Sequence, residues 1–295
     1  MPTPTARHSA FSPSVSELAM LRWDLEEELG CLSRHGIDGV GLWRAKLTDV
    51  GVATARRLLR AHGKRVSSLR WAGGFTGSDG RNYRESVDDG IDAIGQAAAV
   101  GADVLVLHTG GRGGHTIGHA HRLLLEACDT LAPVAWNAGV RLAIQPFHPD
   151  AAAGDGFLTR LSHAVDWVDR FDHPAIGLAL DLWHFGNDPA LPELLPRLLR
   201  RLFLVTVADR SEPPMVGGEQ LPAGTGKLPL ESTVAALVSL GYSGHVEFDP
   251  VGETAEAAGY DRTIRHVRFV ADAWNRAMSQ RMPTVRPGIA TTIGG

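Results

Sequence analysis

The chain has 295 residues, of which 44% are hydrophobic and 21% are charged, and its formal net charge is −4. This composition is typical of a soluble globular protein, and the absence of a basic run makes nucleic acid a poor candidate partner. No apolar stretch approaches the ~18 residues that a membrane span requires. The N-terminal residues lack the apolar core of a signal peptide. We therefore expect a cytoplasmic protein with no membrane partner.

Short β-rich runs alternate with longer amphipathic segments, a pattern typical of parallel βαβ units. The predicted strands are residues 7–11, 38–43, 65–71, 103–108, 140–145, 176–181, 202–207 and 245–249. The predicted helices are residues 22–35, 49–62, 83–100, 116–137, 159–171, 190–200, 230–240 and 259–277. Eight such pairs predict a single closed (β/α)8 TIM barrel rather than an open sheet. We expect the barrel to span residues 1–282 and residues 283–295, which lack periodicity, to form a flexible tail.

Glycine and cysteine positions agree with this organisation. Glycine stands where five predicted helices end and the next strand begins, at Gly36, Gly63, Gly101, Gly139 and Gly241. The only two cysteines, Cys31 and Cys128, both fall in predicted helices. So few cysteines in a chain of this length predict free buried thiols in a reducing compartment.

Polar residues stand at the carboxyl ends of the predicted strands, where the active site of a (β/α)8 barrel lies. Strands 3 to 8 end at Arg70 with Trp71, His108, Gln145, Asp181, Thr206 and Asp249. Further polar residues follow closely or share a strand face, namely His148, His184, Arg210 and Glu247. Their joint occurrence above apolar strands predicts a pocket for a small-molecule substrate.

Several of these residues also have a purely structural interpretation. Asp181 could cap the following helix, and Arg210 could form a salt bridge with Asp209 or Glu212. The glycine-rich residues 110–114 lack the Lys-Ser/Thr pair of a phosphate-binding loop, so they favour a flexible active-site loop.

Five segments together resemble the xylose isomerase-like TIM barrels of the sugar phosphate isomerase/epimerase superfamily. They are residues 36–43, 139–149, 180–184, 205–209 with 222–229, and 241–249. The resemblance covers roughly residues 7–275 and implies a TIM barrel fold.

The resemblance also implies one divalent metal held by Glu, Asp, His and Glu at the ends of strands 5 to 8. In this sequence those four positions hold Gln145, Asp181, Thr206 and Asp249, and a strand-2 position that often holds Glu is Gly41. We therefore expect Asp181, Asp249 and Gln145 as candidate metal residues for a weakly bound Mn²⁺ or Mg²⁺. Two alternatives stay open. One is a metal-free reaction in which histidines act as acid and base, and the other is binding of a ligand without turnover.

The implied reaction is that of an isomerase or epimerase, which moves a proton next to a carbonyl of a small sugar, polyol or keto acid. Candidate catalytic residues are His184, Asp249, Gln145 and His148. Candidate substrate-binding residues are His108, Trp71, Arg210, Thr206 and Glu247. A lyase or dehydratase is the first alternative, because β-elimination begins with the same proton removal, and a non-catalytic binding barrel is the second. The sequence leaves open whether the protein forms a homodimer.

Overall fold

The computed structural model describes residues 9–281, and they form a closed barrel of eight parallel strands in chain order. The strands are β1 Ser12–Ser16, β2 Gly39–Trp43, β3 Arg65–Gly73, β4 Val104–His108, β5 Arg141–Ile144, β6 Ile176–Asp181, β7 Leu202–Val207 and β8 His245–Phe248. Each strand pairs with the next, and β1 pairs with β8 to close the barrel. The predicted TIM barrel is therefore confirmed for the described residues.

Helices connect the strands. They are α1 Leu25–Arg34, α2 Arg44–Val50, α3 Val52–Ala61, α4 Tyr83–Val100, α5 Ile117–Ala138, α6 Leu161–Phe171, α7 Leu182–Phe185, α8 Leu191–Leu198, α9 Leu230–Ser239, α10 Glu253–Ala258 and α11 Tyr260–Arg281. Single 3-10 turns occur at Glu17–Met20, Pro149–Ala151 and Leu199–Arg201. No helix among residues 9–281 is both long and apolar enough to cross a membrane.

The first strand was predicted too early. The prediction placed it at residues 7–11. Residues 7 and 8 lie outside the described part of the chain, residues 9–11 are not in a strand, and β1 is Ser12–Ser16. These five residues, Ser-Pro-Ser-Val-Ser, have little intrinsic β-propensity. They form a strand because β2 and β8 pair with them on both sides. The position of β1 is thus set by pairing with its neighbouring strands, not by its own sequence pattern.

The second predicted helix, residues 49–62, covers the end of α2 and the whole of α3. Gly51 separates α2 from α3 with a φ of 81°, a backbone conformation that suits glycine. The glycines predicted at helix ends do lie there, and Gly101 and Gly139 cap α4 and α5 in the left-handed conformation. Cys31 and Cys128 are free and buried, as predicted. The predicted tail, residues 283–295, lies outside the described residues.

The barrel interior is divided between apolar and polar side chains. On the side of β4 to β7 the small apolar cluster is Val104, Val106, Ala143, Ala179 and Leu204, with Trp71 packed against it. Buried polar side chains on β1, β3 and β8 include Ser14, Ser16, Ser68 and Glu247, and Asp181 and Thr206 add two at the ends of β6 and β7. The polar side of the interior leads directly to the carboxyl ends of the strands.

Candidate functional site

The side chain of Arg70 crosses the barrel from β3 and joins three other strand-end residues. Its guanidinium nitrogens lie 2.6 Å from Glu247 Oε1 and 3.1 Å from Asp249 Oδ2. Arg70 Nη2 also donates a 2.8 Å hydrogen bond to Thr206 Oγ1. The side chain is 2% exposed, so these bonds form away from bulk water. The sequence placed Arg70 at a strand end but did not select it as a site residue.

Glu247 is fully buried, and its partners are all protein groups. Its Oε2 accepts hydrogen bonds from Ser67 Oγ at 2.7 Å and Ser68 Oγ at 2.8 Å. A Cβ at Gly41 would overlap the Glu247 carboxylate, so the glycine provides the space that the carboxylate fills. Glu247 and Thr206 were expected to bind substrate. Both contact Arg70 inside the barrel, and their expected contact with substrate stays a prediction.

Asp181 ends β6 and also caps the short helix α7. Its Oδ1 accepts a 2.9 Å hydrogen bond from the backbone N–H of Trp183, and its Oδ2 accepts one of 3.2 Å from Gln145 Nε2. Burial raises the pKa of Asp181 to about 6, although the positive charge of Arg70 lowers it. The structural interpretation, a helix cap, is thus correct, and it coexists with a carboxyl group poised near neutrality.

Asp249 follows β8 and is the third buried carboxyl group at this end of the barrel, beside Glu247 and Asp181. Burial raises its pKa to about 6 against the opposing effect of Arg70. Its Oδ2 is bonded to Arg70, whereas its Oδ1 is buried without a hydrogen-bond partner. One carboxylate oxygen is therefore still able to accept a proton or a hydrogen bond.

The expected divalent cation at Asp181, Asp249 and Gln145 does not fit this arrangement. The Arg70 guanidinium already lies against Asp249 and contributes positive charge to Asp181. Gln145 turns its amide N–H, not its carbonyl oxygen, toward Asp181. A divalent ion about 4 Å from the guanidinium would be repelled by on the order of 8 kcal/mol at an effective dielectric constant of about 20, which cancels the attraction of one carboxylate at the same distance. The strand ends thus carry their own cation.

A different cluster among the described residues is compatible with a metal. Cys31, His35 and Asp261 each offer one ligand atom, and these atoms lie within 4.8 Å of one another. They stand on α1, at its end and on α11, outside the barrel interior. Asp261 also accepts hydrogen bonds from Arg34 and Arg265.

Aromatic rings form a continuous wall over the strand ends. Ring centroids are separated by 4.7 Å between Trp71 and His108, 4.8 Å between His108 and Phe147, and 5.1 Å between Phe147 and His184. Trp183 continues the series at 4.9 Å from His184. Rings packed in this way suit the apolar faces of a sugar or another small ring.

The histidines at this wall do not titrate near neutral pH. Burial lowers the pKa of His108 to about 3, with a further contribution from Arg70. Burial also lowers the pKa of His184 to about 4, and His148 and Arg210 lower it further. His184 Nδ1 accepts a hydrogen bond from the backbone N–H of His148 at 3.3 Å. His108 and His184 are therefore neutral near pH 7, and a neutral imidazole can still hydrogen-bond a hydroxyl group. The expected acid–base role of His184 and His148 stays a prediction.

Arg210 contacts backbone carbonyls rather than the acidic side chains predicted for it. Its Nε donates to Trp183 O at 2.7 Å and its Nη1 to Glu212 O at 2.9 Å. It thereby links the loop after β7 to α7. Its expected contact with substrate stays a prediction.

A cavity of about 520 Å³ opens beside Trp71 and His108, a size suited to a small molecule. Its lining also includes Arg44, Arg81 and Asp155, which the sequence interpretation missed. Arg44 was detectable, since it directly follows β2, whereas Arg81 and Asp155 lie in loops without a strand-end signal. Glycines of residues 73–74 and 110 form part of the same wall.

Buried polar atoms without a hydrogen-bond partner concentrate at this end of the barrel. Among the described residues they include Arg70 Nε, Trp71 Nε1, His108 Nε2, Gln145 Oε1 and Asp249 Oδ1. Leaving such an atom unpaired costs about 1–3 kcal/mol. His108 interacts with Gln145 and Asp249 with Ser16, but none of the five atoms has a bond of good geometry, so the cluster indicates a place where a polar ligand can complete the bonding.

Comparison with known proteins agrees with the barrel. The model of the xylose isomerase-like TIM barrel family matches residues 31–270. No curated protein matches the chain in sequence.

Solved structures extend the comparison. Protein SMc04130 from Sinorhizobium meliloti 1021 is 26% identical, with a TM-score of 0.81 over 88% of this chain and 98% of its own. A zinc-bound IolI protein is 16% identical, with a TM-score of 0.75 over 92% of this chain and 98% of its own. D-psicose 3-epimerase with D-tagatose from Clostridium cellulolyticum H10 is 14% identical, with a TM-score of 0.73 over 91% of this chain and 99% of its own.

Proposed function

The chain belongs to the xylose isomerase-like TIM barrel family, and from this premise we propose that it is an isomerase or epimerase acting on a small sugar, polyol or keto acid. The reaction would move a proton at the carbon next to a carbonyl group. The barrels of similar structure include an epimerase of a ketose, D-psicose 3-epimerase, which supports this class of substrate.

The observation that carries the proposal is the cluster of unpaired polar atoms at the strand ends. Trp71 Nε1 can donate, Gln145 Oε1 and Asp249 Oδ1 can accept, and His108 Nε2 can do either, according to its tautomer. A molecule with several hydroxyl groups and a carbonyl offers both donors and acceptors, so it can satisfy these atoms together. A purely apolar ligand would leave them unpaired.

The charges around the cavity favour an unphosphorylated substrate. Arg44 Nη1 and Nη2 bond to both carboxylate oxygens of Asp89, and Arg81 pairs with Asp79 and Asp89. Asp155 adds a further carboxyl group to the lining. Both cationic side chains of the cavity wall are thus already paired with carboxylates, and a phosphate would have to compete for them.

Two of the three buried carboxyl groups, Asp249 and Asp181, supply the proton chemistry in this proposal. Asp249 has one unpaired oxygen to receive the proton, and Asp181 is a second carboxyl group of similar pKa. General acid–base catalysis is most effective when the pKa lies near the working pH. The unpaired Nε–H of Arg70 would hold the negative charge that develops on the carbonyl oxygen. No step of the proposal uses a metal at the strand ends.

Exchange of substrate hydrogen with D₂O tests the proposal directly. Unphosphorylated ketoses, aldoses and keto acids, each beside its phosphorylated counterpart where one exists, would be incubated with the protein in D₂O and followed by NMR. We expect deuterium at the carbon next to the carbonyl of an unphosphorylated compound. Asp249→Asn should slow the exchange by about 100-fold or more. Asp88→Asn, on the surface of α4 with its side chain 68% exposed, is the matched control and should leave the rate unchanged.

The same experiment separates the alternatives. An unsaturated product formed without exchange would replace the isomerase by a lyase. A compound that binds tightly but shows neither exchange nor elimination would leave a barrel that binds its ligand without turnover, and the proposed reaction would be wrong.

A further inference from the structure

We propose that Arg70 is a resident cation that replaces a divalent metal at the strand ends, and that removing its side chain uncovers a divalent-metal site formed by Asp181, Glu247 and Asp249. The proposal concerns which cation the barrel holds. It does not depend on the proposed reaction, because metal binding is measured without substrate.

The charges around Arg70 are those of a cation site. Three carboxyl groups influence the guanidinium, and two of them, Glu247 and Asp249, contact it directly at 2.6 and 3.1 Å. Asp181 is the third and acts through its charge. One positive charge thus serves three acidic groups that are all at least 96% buried. Buried carboxyl groups stay ionised only beside a cation and otherwise take up a proton, and Arg70 is the cation that holds these groups charged.

The surrounding side chains are fitted to a guanidinium. Ser67 and Ser68 hold Glu247 Oε2, which leaves Oε1 facing Arg70. Gly41 leaves the room that this carboxylate needs. Thr206 accepts a hydrogen bond from Arg70 Nη2, a contact suited to a planar N–H donor. Residues from β2, β3, β7 and β8 therefore all place or bind the arginine.

Removal of the guanidinium should convert this arrangement into an oxygen-lined site. Carboxylate, hydroxyl and amide oxygens are the ligands that Mg²⁺ and Mn²⁺ prefer. The amide oxygen of Gln145 is unpaired and adds one more donor at the same end of the barrel. Without the arginine side chain, the space of its guanidinium would be empty and the carboxylates would have no counter-ion.

The test is binding of Mn²⁺ alone to chelator-treated protein, measured by the EPR signal of free Mn²⁺ and by calorimetry. All proteins would carry His35→Ala, which removes one member of the Cys31, His35 and Asp261 cluster and so prevents binding there. We expect no Mn²⁺ at the strand ends of the parent protein at millimolar concentration. Arg70→Ala should bind one Mn²⁺ per chain at least about 100-fold more tightly.

Two further variants assign the site. Asp249→Asn added to Arg70→Ala should abolish the new binding, because it removes one carboxylate. Arg70→Lys keeps a positive charge and should bind no Mn²⁺. If Arg70→Ala does not fold, Arg70→Met fills more of the vacated space and takes its place.

Two results would overturn the proposal. One is a parent protein that binds one Mn²⁺ tightly and loses it with Asp249→Asn, since a metal would then coexist with Arg70. The other is a folded Arg70→Ala or Arg70→Met variant that binds no Mn²⁺.

Discussion

At the scale of single residues, Asp181 combines two roles that the sequence presents as alternatives. One carboxylate oxygen caps α7 through the Trp183 N–H, and the same group has its pKa raised to about 6 by burial. The cap needs only an oxygen acceptor, whereas proton transfer needs a group that titrates. The two roles can therefore be separated by substitution.

Asp181→Asn should remove the proton transfer and keep the cap. Asn is as good an N-cap as Asp, so we expect a thermal unfolding midpoint close to that of the unaltered protein. The D₂O exchange rate should fall by about 100-fold or more. Asp181→Ala should lose the cap as well and destabilise the protein by about 1 kcal/mol, measured by urea unfolding. Full exchange activity in the Asn variant would exclude Asp181 from the chemistry.

The sequence predicts which residues reach the strand ends, but it does not predict what they bind. Asp181 was found because a strand of small and apolar residues ends on a charged one. The role of Arg70 depends on a long side chain that crosses the barrel to residues 136 and 179 positions away. Such distances in sequence are closed only by the fold, so neither the arginine's partners nor the burial of Glu247 could be predicted from local pattern.

At the scale of elements, one buried carboxylate organises the long loop between β7 and α9. Asp209 is 1% exposed and accepts three backbone hydrogen bonds, from Arg210 N, Gly224 N and Leu228 N, at 2.9, 3.0 and 3.0 Å. The sequence suggested a salt bridge from Arg210 to this residue, but the Arg210 guanidinium bonds elsewhere. Asp209 thus closes the loop onto itself at the rim of the site.

Asp209→Asn should loosen this loop without unfolding the barrel. The amide can accept through one oxygen only, so either the Gly224 bond or the other two are lost, at a cost of about 1–3 kcal/mol. Hydrogen–deuterium exchange should accelerate in residues 210–228 and stay unchanged in the barrel strands. Asp188→Asn is a suitable comparison, because Asp188 accepts one exposed backbone bond, from Ala190 N. Unchanged protection of the loop in Asp209→Asn would contradict this role.

At the scale of the whole molecule, the barrel was predictable because eight repeats of the same pattern reinforce one another. Each helix–glycine–strand unit is weak evidence alone, and together they admit one closed arrangement. The element that failed, β1, is the one with serines and a proline in place of an apolar run. Its position follows from closure of the barrel, which cannot be predicted from the residues of β1 alone.

A second buried charge cluster, outside the candidate site, leads us to expect that the stability of the whole molecule depends on pH. Glu28 of α1 and Glu17, just after β1, lie together with Lys46, which donates to Glu28 and to the carbonyl oxygens of Met20 and Trp23. Glu17 accepts a hydrogen bond from the backbone N–H of Trp43. Two carboxyl groups share one ammonium group, so one proton stays on the pair. Burial and the charge of Glu17 raise the pKa of Glu28 to about 9.

This raised pKa predicts a protein that loses stability as the pH rises above neutrality. Between pH 7.5 and 8.5, folded Glu28 keeps its proton, whereas in the unfolded chain it has been lost at a pKa near 4.5. The folded state then binds more protons, and the free energy of unfolding falls with pH by at most about 1.4 kcal/mol per unit. Asp181 and Asp249, with pKa values of about 6, and His108 and His184, with values of about 3 and 4, have largely finished titrating by then.

Glu28→Gln tests that origin of the slope, because glutamine has the shape of the protonated acid and does not titrate. Urea unfolding at pH 7.5 and 8.5 should show a clear loss of stability in the unaltered protein and a much smaller loss in Glu28→Gln. Glu26→Gln, on the exposed face of the same helix, should keep the original slope. An equal slope in all three proteins would show that the proton is not held by Glu28.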